Sequence, residues 1–292
     1  MTWKRVVTAA VLIPLVVGLV LWCATWVVAL GVSIFIVLAL LEYFALGEAI
    51  GWRGHRVWTI LCALVLVFLQ WMPSVVRVGD FGSYSVPGGL AWLVAHIFPR
   101  AEDGLFLFVM GLGATVLFTK RPLVETLPAA GISTSALLLV AFPLTYAVRL
   151  HGWGEYGPWL LLFALVITWA GDTGAYFAGR AFGKHALAPH LSPKKTWEGS
   201  FAGLAASLIA AVFFQRWLHA PIPYLLGMAL VANVAGQAGD LLESAYKRSA
   251  GVKDSGDLLP GHGGVLDRID ALILAIPVVW YYWILSYLPP RN

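Results

Sequence analysis

Nine apolar stretches, each roughly 16 to 22 residues long, alternate along the chain with short segments that carry charge, glycine or proline. They run over about 6–23, 26–46, 57–76, 104–119, 129–149, 158–179, 199–217, 221–240 and 270–288. A helix that crosses a bilayer needs about 20 mainly apolar residues. The hydrocarbon also offers no water to an unpaired backbone group, which favours the helix over irregular chain. The pattern therefore predicts an all-α, polytopic integral membrane protein with about nine transmembrane helices. Composition agrees, since 60% of the 292 residues are apolar and only 12% are charged, against about 25% charged in soluble domains. Intrinsic disorder, a disulfide scaffold and a collagen-like fibre are excluded by the same figures.

The first stretch follows Met-Thr-Trp-Lys-Arg but is long and has no Ala-x-Ala site before the next, so it is read as a retained span rather than a signal peptide. Residues 82–99 form a weaker, Gly-rich and Pro-broken stretch suited to a re-entrant or interfacial segment. Pro14, Pro143 and Pro277 lie within apolar stretches and are expected to kink helices. The pairs Gly199/Gly203 and Gly47/Gly51 suit close helix packing. Cys23 and Cys62, with no histidine or third cysteine near them, are expected to pack as small hydrophobes.

With nine spans, fourteen of the 19 lysines and arginines fall on one side of the membrane, leaving Arg77, Arg100, Arg149, Arg216 and Arg291 on the other. Because cytoplasmic loops retain Lys and Arg, the N-terminus is expected to be cytoplasmic. Two cytoplasmic loops, 180–198 and 241–269, hold eight of those fourteen cations. The chain thus divides into N-terminal transmembrane helices over 1–150, a scaffold, and a C-terminal transmembrane catalytic domain over 151–292.

Three clusters in the second part could carry chemistry. Asp172, flanked by Gly171 and Gly174, sits in an apolar stretch where a carboxylate costs at least about 2.5 kcal/mol at a helix centre, so it needs a partner, a cation or a water-filled cavity; capping a helix near the interface is the plainer role. Lys194, Lys195 and Thr196 stand just before the seventh stretch, where two cations, a hydroxyl and a helix N-terminus suit a phosphate; an ordinary basic flank is the alternative. The nearby Gly179 to Lys184 run is not a Walker A motif, because three residues separate its glycines and His185 follows the lysine. In the third cluster Asp240, Glu243, Ser244 and Lys247 recur at i, i+3, i+4 and i+7 and share a helix face. Asp267 and Asp270, three apart at the start of the last stretch, face them from a second helix end, and such carboxylates could hold a hydrated Mg²⁺. Between them Pro260-Gly-His262-Gly263-Gly264 is a turn whose N–H groups could face an anion; His262 is equally suited to a structural hydrogen bond.

The run Ser244-x-x-Lys247-Arg248-x4-Lys253-Asp254-x5-Pro260-Gly-His-Gly-Gly264-x2-Asp267-Arg268-x-Asp270 resembles the signature of the phosphatidate cytidylyltransferase, or CDP-diacylglycerol synthase, family. Asp172-Thr-Gly-Ala-Tyr176 and Ser192-Pro-Lys-Lys-Thr-Trp-Glu-Gly199 are similar to family features as well. The specific resemblance covers about 169–270. It implies CMP transfer from CTP to phosphatidate, giving CDP-diacylglycerol and pyrophosphate, with Mg²⁺ required and K⁺ as a companion ion. It further implies a homodimer in a bacterial inner membrane, with the active site facing the cytoplasm. CTP, phosphatidate and membrane lipid are then the partners, and no nucleic acid is expected.

By the same resemblance Asp240 and Asp270 are the expected metal ligands, Asp267 joins them by its spacing, and with Lys247 they form the catalytic set. The substrate-binding set is Asp172, Lys194, Lys195, Thr196, Ser244, Arg248, Lys253, His262, Gly263, Gly264 and Arg268. Two rivals stand beside this reading. A CTP-dependent polyprenol or dolichol kinase uses similar C-terminal residues but would not require the full run from Lys253 to Asp270. A secondary transporter would place intramembrane carboxylates in repeated halves, whereas here the polar residues gather in one half. The spacing of Asp267 and Asp270 also departs from that of CDP-alcohol phosphotransferases.

Overall fold

The computed structural model describes residues 2–81, 100–256 and 263–287. The stretch 82–99 and His262 lie outside the described residues. Helices α1 (Thr2–Trp22), α2 (Thr25–Ala49), α3 (Arg56–Phe81) and α4 (Ala101–Phe118) come first. They are followed by α5 (Thr126–Ser135), α6 (Phe142–His151) and α7 (Gly157–Phe182). Strands β1 (Ala186–Ala188) and β2 (Ser192–Thr196) then precede α8 (Trp197–Phe213), α9 (Gln215–Leu218), α10 (Ile222–Ser249) and α11 (Leu266–Tyr287).

All nine apolar stretches are helical. Among the described residues, seven helical segments are long and apolar enough to cross a membrane, and the shorter apolar helices Leu12–Trp22 and Trp197–Phe213 account for the other two stretches. The protein is an all-α polytopic membrane protein in architecture. One departure from the sequence reading is that the 180–198 loop contains a two-stranded antiparallel hairpin, with Ala186 opposite Thr196 and Ala188 opposite Ser192. Gly183, Pro189 and Pro193 keep this polar stretch from continuing α7 as helix. The hairpin returns the chain so that the Trp197 N–H donates to the His185 carbonyl at 2.9 Å.

The prolines act in two ways. Pro14 and Pro277 lie inside continuous helices. Pro143 instead follows a π-helical turn, Ala136–Ala141, that joins α5 to α6. Proline has no N–H for the carbonyl four residues back, and a wider turn there absorbs the mismatch.

A single apolar core runs through both parts of the chain, from Val20, Ile36 and Leu40 through Leu137 and Leu150 to Phe163, Leu225 and Trp283. Cys62 is buried within it and Cys23 is half-buried, both as free thiols. At one end of the bundle the buried His151 joins α6 to the α1–α2 turn. Its Nε2 lies 2.9 Å from the Val20 carbonyl and so carries the proton, leaving Nδ1 to accept from the Thr25 hydroxyl at 3.0 Å.

The tightest seam joins α7 to α8. A side chain at Gly203 would run into the Gly171 carbonyl and the Ala175 side chain, and one at Gly174 into Ala206. Dispersion rather than hydrophobic exclusion draws helices together in lipid, so bare backbones in contact are what hold such a seam. Gly203→Val should therefore cost about 1–3 kcal/mol through overpacking, read as a lowered unfolding temperature in detergent. Gly113→Val, at an α4 position with open space around it, should leave that temperature unchanged.

Candidate active site

Helix α10 carries a polar stripe through an otherwise apolar segment, with Asn233, Gln237, Asp240 and Ser244 recurring at intervals of four, three and four residues. That spacing places them on one face of a helix. Helix α11 meets the neighbouring face of α10 closely, because Gly239 has no side chain where the Asp270 carbonyl approaches. The approach brings Asp240, Glu243 and Asp270 together, with one carboxylate oxygen from each lying within 4.8 Å of the others. Asp172 of α7 completes the acidic group, within electrostatic reach of Asp240, Lys195 and Arg268.

Two lysines answer these charges. Lys195, from β2, forms an ion pair with Asp240. Lys247 is held between Glu243 and Asp267 at 2.5 Å from each. Glu243 is only 2% exposed, and apart from that ion pair its carboxylate oxygens have no hydrogen-bond partner. Arg268 adds a third cation within electrostatic reach of Asp172, and Lys194 and Arg180 line the same cavity. Oxygens on opposite sides of an octahedral Mg²⁺ lie about 4.2 Å apart, so Asp240, Glu243 and Asp270 are near the required spacing. Hard oxygen donors at this spacing, with Glu243 Oε1 buried and without a partner, fit such an ion.

The structure distributes the expected site residues unevenly. Asp240, Asp270 and Lys195 meet at the cluster, and Lys194, Lys195, Thr196, Asp172 and Asp240 line one cavity of about 660 Å³. Asp267 stands one step away. Its Oδ1 takes Lys247, and its Oδ2 accepts the Gly264 N–H at 2.8 Å and the Ser255 N–H at 3.0 Å. The Gly264 N–H is thus committed to Asp267 instead of facing an external anion. Gly263 adopts a left-handed backbone, with φ of 79°, which glycine alone takes readily.

Thr196 caps α8, its hydroxyl accepting the Gly199 N–H at 3.2 Å. Arg248 donates to the Leu191 carbonyl at 3.2 Å and the Val252 carbonyl at 3.1 Å, bracing the hairpin turn against the end of α10. Ser244 is buried beside the cluster, Arg268 is exposed but within electrostatic reach of Asp172, and Lys253 is exposed.

Sequence reasoning left several participants out of the site. Glu243, outside the expected metal set, shares the helix face of Asp240 and stands with Asp240 and Asp270 where Asp267 is expected. Glu198 accepts from the backbone N–H groups of Lys184 and His185 at 3.2 and 3.3 Å and pairs with His185 Nδ1 at 2.6 Å, fixing the base of the hairpin. Deeper in the cavity, Ser200 donates to Gln237, whose amide donates to Asn233 at 2.7 Å. Asn233 in turn donates to Ser207 at 2.8 Å, and Ser207 to the Ile167 carbonyl at 2.6 Å. The stripe spacing on α10 is the sequence signal that marks Asn233 and Gln237.

The arrangement can hold a divalent cation between two helix ends and present lysines to polyphosphate in a cavity that reaches into an apolar bundle. Residues 3–286 match the family described as the cytidylyltransferase family. The phosphatidate cytidylyltransferase of Bacillus subtilis (strain 168) is 35% identical over 212 residues, spanning 72% of this chain and 78% of that protein. That of Haemophilus influenzae (strain ATCC 51907 / DSM 11121 / KW20 / Rd) is 48% identical over 205 residues, 67% of this chain and 65% of its own. The phosphatidate cytidylyltransferase of Brucella suis biovar 1 (strain 1330) is 33% identical over 286 residues, 95% and 92% of the two chains. With a match that runs from the first helix to the last around this carboxylate and lysine centre, the chain belongs to the cytidylyltransferase family.

Proposed function

We propose that the chain transfers CMP from CTP to phosphatidate, forming CDP-diacylglycerol and pyrophosphate. The observation that carries this reading is the three-carboxylate cluster whose Asp240 pairs with the hairpin lysine Lys195 and lines a cavity with it, in a chain similar along its length to phosphatidate cytidylyltransferases. In the reaction a phosphatidate phosphate oxygen bonds to the α-phosphorus of CTP, and the bond from that phosphorus to the β-phosphate bridge breaks. The attacking oxygen is already anionic, so no side chain needs to take a proton from it. The protein's tasks are alignment and neutralisation of the charge that gathers on the departing pyrophosphate.

Asp240, Glu243 and Asp270 would hold a Mg²⁺, with Asp267 orienting Lys247 instead of serving as the third ligand. When bound, that ion supplies positive charge to the phosphates as the α–β bond breaks. Lys194 and Lys195 bind phosphate oxygens from the hairpin, which Glu198 and Arg248 keep in place. Asp172, across the cavity, keeps Lys195 directed inward by its charge. The polar ladder from Gln237 to Ser207 gives the inner cavity hydrogen-bonding groups for the part of the lipid between phosphate and acyl chains.

The same reading takes all nine apolar helices as spans, with the N-terminus and the hairpin on the cytoplasmic side of a bacterial inner membrane. The fourteen-to-five distribution of basic residues supports it. The family resemblance adds the expectation of a homodimer and a K⁺ ion beside the Mg²⁺.

The purified protein, given phosphatidate, Mg²⁺ and CTP labelled in the cytidine, should produce labelled lipid, while CTP labelled at the γ-phosphate should not. Lipid labelled from the γ-phosphate alone would make it a kinase. Asp270→Asn should lower turnover by about 10² to 10³-fold, the size of a lost charge-stabilising group, with an unchanged elution profile; near-wild-type turnover would remove Asp270 from the metal set. Changing Lys194 and Lys195 together to Gln should raise the KM for CTP or phosphatidate more than it lowers kcat. Glu243→Gln should raise the Mg²⁺ concentration for half-maximal rate by roughly tenfold. Asp267→Asn should reduce the rate while moving that concentration much less, and the reverse pattern would restore Asp267 as the ligand.

A further inference from the structure

Glu42 is the only charged residue between Arg5 and Glu48. It lies in the last third of α2, in the part of the chain read as scaffold, and is 5% exposed. No residue close to it in sequence accounts for a buried carboxylate at this position. Its partners come from the far end of the chain. Oε1 accepts the Val265 N–H at 2.9 Å, and Oε2 accepts the Leu266 N–H at 2.8 Å and the Ser255 hydroxyl at 2.9 Å. Val265 and Leu266 open α11, so the carboxylate occupies the positive end of the helix that carries Asp267 and Asp270, where an anion is favoured.

The fit around it leaves no spare room. A side chain at Gly264 would collide with the Ser255 hydroxyl and the Glu42 carboxylate, and one at Gly256 would come within 2.8 Å of Glu42 Oε1. Backbone on both sides of the signature turn therefore rests directly on this one side chain. Ser255 extends the connection inward, since its hydroxyl is also 3.0 Å from Asp267 Oδ2. Asp267 holds Lys247, and Lys247 pairs with Glu243 of the carboxylate cluster. Glu42 is thus the outermost member of a chain of contacts that ends at the metal-binding carboxylates.

We propose that Glu42 is a positioning residue for the transfer reaction: it fixes the start of α11 and Ser255 so that Asp267 holds Lys247 at the cluster. The inference rests on the function proposed above. It gives the N-terminal helices a part in the chemistry beyond filling the membrane. Glu42→Gln keeps the shape but turns an amide toward two backbone N–H groups and a hydroxyl, so one donor meets donors.

The test measures transfer of cytidine label to lipid by the full-length protein in detergent, alongside its unfolding temperature. Glu42→Gln should lower kcat at least tenfold, a loss within what a displacement of about 1 Å produces in an aligned site, with the KM for CTP within about twofold of wild type. Ser255→Ala should lower kcat severalfold, and the double variant should be no slower than Glu42→Gln alone, because both act through one route. A kcat for Glu42→Gln within twofold of wild type would overturn the proposal, as would losses that multiply in the double variant. If Glu42→Gln does not yield folded protein, Ser255→Ala decides: an unchanged kcat overturns the proposal, and a severalfold loss at an unchanged unfolding temperature supports it. Absence of labelled lipid with the wild-type protein would instead refute the function proposed above.

Discussion

Carboxylates gathered at the edge of an apolar layer lose hydration and repel one another, and the arrangement of the C-terminal helices follows from offsetting both effects. Asp240, Glu243 and Asp270 lie close enough to share an ion, and they stay there because α10 and α11 are pressed together at a position where one helix has no side chain. Lys195 and Lys247 reach the group from different directions, one from the hairpin and one from the same helix face. A buried charge left unpartnered costs far more than a paired one. The residues that orient these lysines, Asp267 for one and Glu198 and Arg248 for the hairpin, are therefore part of the stability of the cluster as well as of its geometry.

Much of this was legible in the sequence because the signals are periodic or local. Nine apolar stretches became nine helical stretches, since a bilayer admits few other ways to satisfy the backbone. The i, i+3, i+7 spacing of Asp240, Glu243 and Lys247 placed them correctly on one face, because a helix fixes that geometry without reference to anything else. The glycine pair Gly199/Gly203 likewise marked a close helix contact, realised against α7.

What escaped the sequence depends on distance along the chain or on competition for a partner. Glu42 meets Ser255 across 213 residues, and nothing local in α2 points toward the signature turn. Asp267 and Glu243 were equally placed by spacing to join Asp240 and Asp270. Donors from three residues, Lys247, Ser255 and Gly264, draw Asp267 away from the cluster, a competition that sequence spacing does not show. The hairpin escaped because three- and five-residue strands in a polar loop carry almost no periodic signal.

The seam between α7 and α8 bears on how this wall of the cavity can vary. Where backbone rests on backbone, at Gly171 and Gly203, height and rotation of the two helices are set by the peptide units rather than by interlocking side chains. Asp172 directly follows one of those contacts, so its direction is fixed by the main chain. A single inserted residue would turn everything beyond it by about 100° and swing Asp172 away from the cavity. Substitutions on the outward faces of these helices leave that register untouched, whereas changes of length within them would destroy it.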